Sequence, residues 1–272
     1  MVKLAAFFQK HKNISNFPNV FFLFIYFRLI EWIEFLKVFG VGRIFFHILK
    51  VHKNIKKVLH HYESERFADL KKIEYLQHGV SYNSDNGDKI NYKRRQELIT
   101  YNDCVYRNLY SYQYIALLDV DEMIVPQNHR NWSDMMKVVE SEALEKLNKT
   151  RASWNFRTVY FLDTMTVSDG DLSDGLHMLH HINRSAEYIK PVNYYDKTIF
   201  SPDTVLLVHN HYPLSCLGGK CLSHPVSPSL GHVHHYRASC PASLRSQCIN
   251  ITLVTDTSLW RWRQEISITS VK

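Results

Sequence analysis

The segment YIALLDVDEMIVP, residues 114–126, carries the densest chemistry in the chain. An apolar run ends in Asp119 and Asp121, spaced i and i+2, with Glu122 next and Pro126 closing the segment. Carboxylate oxygens with open coordination positions suit hard divalent ions such as Mn2+ or Mg2+, which in turn grip diphosphate oxygens. An ion of that kind neutralises the charge that develops on a nucleotide diphosphate leaving group. The bland alternative is that Asp119 and Asp121 cap a turn. Three acids within four positions repel one another unless a cation stands beside them, and this favours a metal site.

Histidines cluster downstream. His209-Asn210-His211 follows an expected strand over 204–208, and Gly231-His232-Val233-His234-His235-Tyr236-Arg237 follows a Pro-containing loop. In an extended segment His232 and His234 share one face and His235 points the other way. One imidazole would then reach the metal while another contacts phosphate or acceptor. Lys197 and Arg237 are the cations placed to meet a diphosphate, with His209 and His211 on the same donor side. A structural zinc built from Cys216, Cys221 and two of these histidines competes, although C-x4-C is a poor finger spacing. The H-N-H tripeptide alone lacks the hairpin context of a nuclease. A phosphatase of the haloacid-dehalogenase type also begins with an apolar strand and D-x-D, its first Asp acting as nucleophile. Against it, Met123 stands where a small hydroxyl residue is required, and the motif lies in mid-chain.

Positioning these groups requires a framework, and the periodicity supplies one. Residues 28–39 space Arg28, Glu31, Glu34 and Lys37 three apart amid apolar residues, a mostly buried helix stopped at Gly40 and Gly42. A buried strand over 44–49, a helix over 51–64 and a strand over 67–76 follow, the rhythm of a parallel α/β sheet. The stretch 79–91 reads as a polar loop, then a helix over 93–110, the strand into D-x-D, a helix over 132–147 and strands at 152–162 and 204–208. Residues 163–195 are polar, His-rich and poorly periodic.

A chain of 272 residues that is 45% apolar and 22% charged is neither disordered, collagen-like nor a coiled coil. It allows one domain with a sizeable core. The net charge of +7 implies an anionic partner. Basic residues are scattered in short runs such as Lys93-Arg94-Arg95, without an RNA-binding or zinc-finger signature, so the expected partner is a phosphorylated small molecule and not nucleic acid. Five cysteines favour two local disulfides, Cys216/Cys221 and Cys240/Cys248, with Cys104 as a buried thiol, other pairings staying open. Asn-x-Ser/Thr acceptors at Asn13, Asn131, Asn148, Asn183 and Asn250 also lean toward a secretory lumen, although Asn131 would equally cap the helix at 132. No segment reaches the roughly 20 apolar residues of a membrane span, and the start of the chain is too short in apolar residues for a signal peptide. The luminal inference therefore suggests an amino-terminally incomplete chain.

The segments RLIEWIEFLKVFGVGRIFF, NDCVYRNLYSYQYIALLDVDEMIVP, HNHYPLSCLGGKC and GHVHHYRASC resemble, in that order, the domain of glycosyltransferase family 92, most closely its arthropod members. The resemblance covers roughly residues 28–265, leaving 1–27 as a divergent amino-terminal segment and 28–272 as the family domain. It implies a GT-A-like α/β fold, the nucleotide-diphospho-sugar transferase fold, with a mixed, mostly parallel central sheet flanked by helices. It also implies metal-dependent transfer of a hexose, galactose in characterised relatives, from a UDP-sugar to a glycan acceptor with inversion. Family members are typically membrane-anchored in the Golgi; the anchor is absent from this sequence. The D-x-D falls on Asp119 and Asp121, with Asp121 binding Mn2+ most directly and Asp119 facing ribose or metal-bound water. A late histidine completes the metal shell, which points to His232 and His235, and the family's lysine lands on Lys197. Inversion needs a base for the acceptor hydroxyl. Asp163, at the end of the strand over 152–162, is the expected one, with Asp169, Asp171, Asp174 and Glu187 nearby in sequence. A catalytically inactive relative that binds glycan or nucleotide is the remaining alternative.

Overall fold

The apolar run that begins at Val20 belongs to a 20-residue helix, α1 (Asn19–Val38), which is the spine of the core. Leu29, Ile30, Trp32, Ile33, Phe35 and Leu36 are all buried, so the helix is enclosed nearly all round. Its two acids are buried as well, and each has found a donor. Glu34 accepts the Tyr62 hydroxyl at 2.7 Å, and Glu31 accepts the backbone N–H groups of Met178 and Leu179 at 2.9 Å each. The helix ends where glycine was expected to stop it: Gly40 has φ +82°, its N–H bonds Lys37 O, and Val41 N–H bonds Leu36 O. That is the paired-bond C-cap which only glycine enters without strain.

The computed structural model describes residues 7–8, 19–48, 51–72, 86–165, 176–186, 197–240, 248 and 251–266. The remaining elements are, in chain order, β1 (Phe7–Phe8), β2 (Ile44–Ile48), α2 (Lys53–Ser64), β3 (Ala68–Lys72), α3 (Asn86–Asn108), β4 (Ile115–Ala116), β5 (Glu122–Pro126), α4 (Trp132–Lys146), β6 (Ser153–Phe156) and β7 (Thr158–Leu162). They continue as α5 (His177–His180), β8 (Asn183–Ser185), β9 (Lys197–Phe200), β10 (Val205–Val208), β11 (Pro213–Cys216), β12 (Ser223–Pro225), β13 (Gly231–Arg237) and β14 (Leu253–Thr255).

Sheet pairing is mixed, with helices packed against it, as an α/β chain requires. β1, β2 and β3 are parallel, and α2 makes the crossover between the last two. A four-stranded sheet runs β12-β6-β9-β4, and a three-stranded one runs β5-β13-β7, where β13 is antiparallel to β5 and parallel to β7. The single strand expected over 152–162 is therefore two, divided at Arg157 and feeding different sheets. Helix α3 starts at Asn86, inside the stretch read as loop to residue 91. Within the poorly periodic 163–195 stretch lie α5 and β8, too short to leave a period. Among the described residues no helix is long and apolar enough to cross a membrane.

Both expected disulfides form, Cys216–Cys221 and Cys240–Cys248, and Cys104 is a buried free thiol. The bond between Cys216 and Cys221 removes the cysteine-based zinc alternative. Asn131 caps α4, its side-chain oxygen accepting Asp134 N–H at 2.9 Å while its amide meets the Asp134 carboxylate. Asn183 gives its amide to Met165 O, whereas Asn148 is exposed; Asn13 and Asn250 lie outside the described residues.

Two fully buried tryptophans fix the strand that follows D-x-D. Trp32 Nε1 donates to Glu122 O at 2.7 Å and Trp132 Nε1 to Ile124 O at 2.8 Å, while Phe39 packs between Trp132 and Trp262. Replacing Trp32 with Phe keeps an aromatic ring but leaves the buried Glu122 carbonyl unmet. Urea unfolding is expected to show a loss of about 1–3 kcal/mol, the usual cost of a buried group left unpaired.

Candidate functional site

The D-x-D acids sit on a turn and not on the strand itself. β4 and the buried Leu117-Leu118 lead in, Glu122 N–H closes the turn on Asp119 O at 2.9 Å, and β5 leads out. The turn splits the acids by exposure. The Asp119 and Asp121 side chains are 44% and 48% exposed, whereas Glu122 is 5% exposed.

The cation that three neighbouring acids demand is present, and it is Lys197. This side chain, wholly buried at the start of β9, puts its ammonium 2.7 Å from Glu122 Oε2, 3.0 Å from Asp119 Oδ2 and 2.9 Å from Asn210 Oδ1. Three acceptors meet its three protons. Burial alone would strip the lysine of its proton, but the two carboxylates outweigh it and hold the pKa above the ordinary lysine range. Desolvation works against ionised Asp119 too, and there the adjacent ammonium wins, holding it below the usual carboxylate range. For Glu122 burial is the stronger influence and pushes the carboxyl up despite the same lysine.

His235 completes this face. The β13 register sets it opposite Glu122 on one side and Tyr160 on the other. Its Nδ1 is 3.3 Å from Glu122 Oε1, its Nε2 is 3.8 Å from Asp121 Oδ2, and its ring stacks on Tyr160. Asp121 and His235 thus offer one oxygen and one nitrogen at a spacing that a single ion about 2.1 Å from each would bridge. These donors fit a divalent cation of the Mn2+ or Mg2+ kind. Among the described residues the groups of three convergent donors lie elsewhere, so the remaining positions of such an ion would go to Asp119 or to diphosphate oxygens.

Alternation along β13 corrects one expected ligand. His232 lies on the opposite face, with Nε2 3.1 Å from His234 Nε2 and 3.8 Å from Asp256 Oδ2, and cannot share an ion with Asp121. Arg237, two residues past His235, is on the His235 side of the strand. Of the H-N-H tripeptide it is Asn210 that reaches the lysine. His209 stacks on Tyr212, and His211 accepts the Thr198 hydroxyl through its carbonyl. Sequence reasoning missed Asn210 because two histidines flank it.

Asp163 is corrected as well. Its partners are His177 and His181, which pack against Phe161 and Tyr236 on the His234 side of the sheet. It therefore faces away from Asp121, and the two histidines hold its carboxyl well below the usual range against the opposing effect of burial, which leaves a poor base. The other acids considered, Asp169, Asp171, Asp174 and Glu187, lie outside the described residues.

The buried triad gives a test. Lys197→Met leaves Glu122 without its counter-charge, and breaking a buried pair in this way costs about 3–5 kcal/mol. The folded Glu122 pKa would then stand far above its unfolded value, so stability is retained at low pH and lost as pH rises through the folded pKa. Urea titrations should show the deficit relative to the native chain narrowing from pH 7 to pH 5, and Glu122→Gln added to Lys197→Met should restore part of it at pH 7.

Comparison with known proteins places this geometry. No protein with a curated description matches the sequence. Similar solved structures include a protein assigned as a glucose-1-phosphate thymidylyltransferase from Bacillus anthracis, in complex with a sucrose, at TM-score 0.35 and 8% identity, covering 74% of this chain and 72% of that one. Another is 4-diphosphocytidyl-2C-methyl-D-erythritolsynthase from Anaerococcus prevotii, at TM-score 0.30 and 6% identity, covering 74% and 70%. Both superpositions are too loose to carry weight. The sequence match is of another order, because residues 21–268 match glycosyltransferase family 92. That span holds the D-x-D turn, Lys197 and His235, and the chain belongs to glycosyltransferase family 92.

Proposed function

We propose that this glycosyltransferase moves a hexose, galactose by family resemblance, from a UDP-sugar to a glycan hydroxyl with inversion, using Mn2+ or Mg2+ at the D-x-D turn. The observation that carries this reading is the facing pair of Asp121 and His235, 3.8 Å apart on the solvent side of a cluster whose buried half is paired with Lys197. One ammonium answers two carboxylates, and Asp121 adds a third. The excess of negative charge on the solvent side would attract a dication.

A bound dication would supply neutralisation of the charge on the departing diphosphate. The chain's own residues do the rest. Asp121 and His235 would hold the ion; Lys197 keeps Asp119 ionised and fixed at the mouth; Arg237, on the His235 side of β13, would meet a diphosphate oxygen. The two disulfides and the exposed Asn148 acceptor support an oxidising, Golgi-type lumen as the working compartment.

Calorimetric titration with UDP should show binding that requires Mn2+. UDP-galactose offered with a glycan array should give transfer that falls by about 100-fold or more in Asp121→Asn and in His235→Ala. Transfer at the native rate by Asp121→Ala sinks the metal role, and nucleotide binding without turnover of any UDP-sugar assigns the chain to the inactive alternative.

A further inference from the structure

The face of the sheet turned away from D-x-D holds a second convergence of donor atoms. Asp163 directly follows β7, and His177 and His181 stand four residues apart on the single turn of α5 and its cap, a spacing that brings both rings to one side. The two Nε2 atoms lie 3.4 and 3.6 Å from the same oxygen, Asp163 Oδ1, and the three donors are all within 4.8 Å of one another. Two ligands bound tetrahedrally to zinc at about 2.1 Å are about 3.4 Å apart, so both separations suit a single ion.

His181 needs an explanation of its own. It is 2% exposed, and neither ring nitrogen has a hydrogen-bond partner, since Asp163 stands just beyond reach. A buried imidazole whose nearest carboxylate oxygen stands 3.6 Å away has lost its water and regained less than a hydrogen bond for it. The turn that presents it is built rigidly: the wholly buried Glu31 of α1 accepts both Met178 N–H and Leu179 N–H. Phe161 and Tyr236 wall the site with rings 5.9 Å from that of His181. Access is from the other side, where the Asp163 side chain is 33% exposed.

We propose that Asp163, His177 and His181 form a site for a transition-metal dication, zinc by its two-nitrogen, one-oxygen donor set, with a fourth position open to solvent. The other histidine-carboxylate trio, His232, His234 and Asp256, is less suited, because Arg184 already occupies Asp256 Oδ2 at 2.6 Å. An ion bound at Asp163 would clamp the end of β7 to α5. This site shares no ligand with the D-x-D turn and stands or falls independently of it.

The test is titration of the full chain, freed of metal by chelator, with Zn2+ and with Co2+. In the Asp121→Asn chain, which lacks the proposed ligand at the D-x-D turn, uptake of about one equivalent, the visible absorption of four-coordinate Co2+ and a raised thermal midpoint are expected. Asp163→Ala and His177→Ala, each added to Asp121→Asn, should weaken that Zn2+ binding by about 100-fold. Asp163 is partly exposed, so its variant keeps the core intact, with circular dichroism as the check. A folded Asp121→Asn chain that takes up no Zn2+, or one carrying Asp163→Ala as well that binds it as tightly, overturns the site.

Discussion

The ammonium of Lys197 is the constraint around which the D-x-D turn is organised. A lysine with no exposed surface is tolerable only if every proton is met and its charge is answered. Asp119 and Glu122 from the D-x-D turn and Asn210 from the loop after β10 do this together, and with Lys197 on β9 they join three separate stretches of chain. β9 must lie against the turn before β5, and the loop after β10 must fold back over both. The pairing of β9 with β4 and β6 sets the first of these contacts, so the ion pair and the sheet order determine one another.

Strand alternation then decides what each histidine does. Along β13, His235 falls beside the carboxylates, while His232 and His234 turn inward toward Asp256. A slip of one residue would exchange these roles. The register is held from both sides: β5 is fixed by indole hydrogen bonds from Trp32 and Trp132, and Arg261 donates to the carbonyls of Pro126 and Gln127 at 2.6 Å. A core of large aromatics here serves orientation as much as burial.

Much of this was legible in the sequence. The D-x-D acids, the exchange of faces between His234 and His235 and the helix stop at Gly40 were readable from spacing and residue type, and the two disulfides were the preferred pairing among others left open. The demand for a cation beside three acids was legible too, but its answer was not: Lys197 is 78 positions from Asp119, and nothing local distinguishes an internal counter-ion from a phosphate ligand. Asp163 fails as a base for a related reason. Its place at the end of a strand was readable, but the face it takes depends on α5, whose single turn leaves no periodicity to read.

Helix α1 ties the two faces together. Trp32 bonds the backbone of Glu122, and its neighbour Glu31 caps the turn that carries His177 and His181. Adjacent residues on a helix point about 100° apart, so one buried segment reaches toward both without bending. A carboxylate at position 31 would be a defect in an isolated apolar helix, and the buried N-terminus of α5 would be a defect in an isolated turn. Each cancels the other. The acidic residue that looks like an interruption of the apolar pattern is therefore the reason the short helix can exist at the place where the histidines are needed.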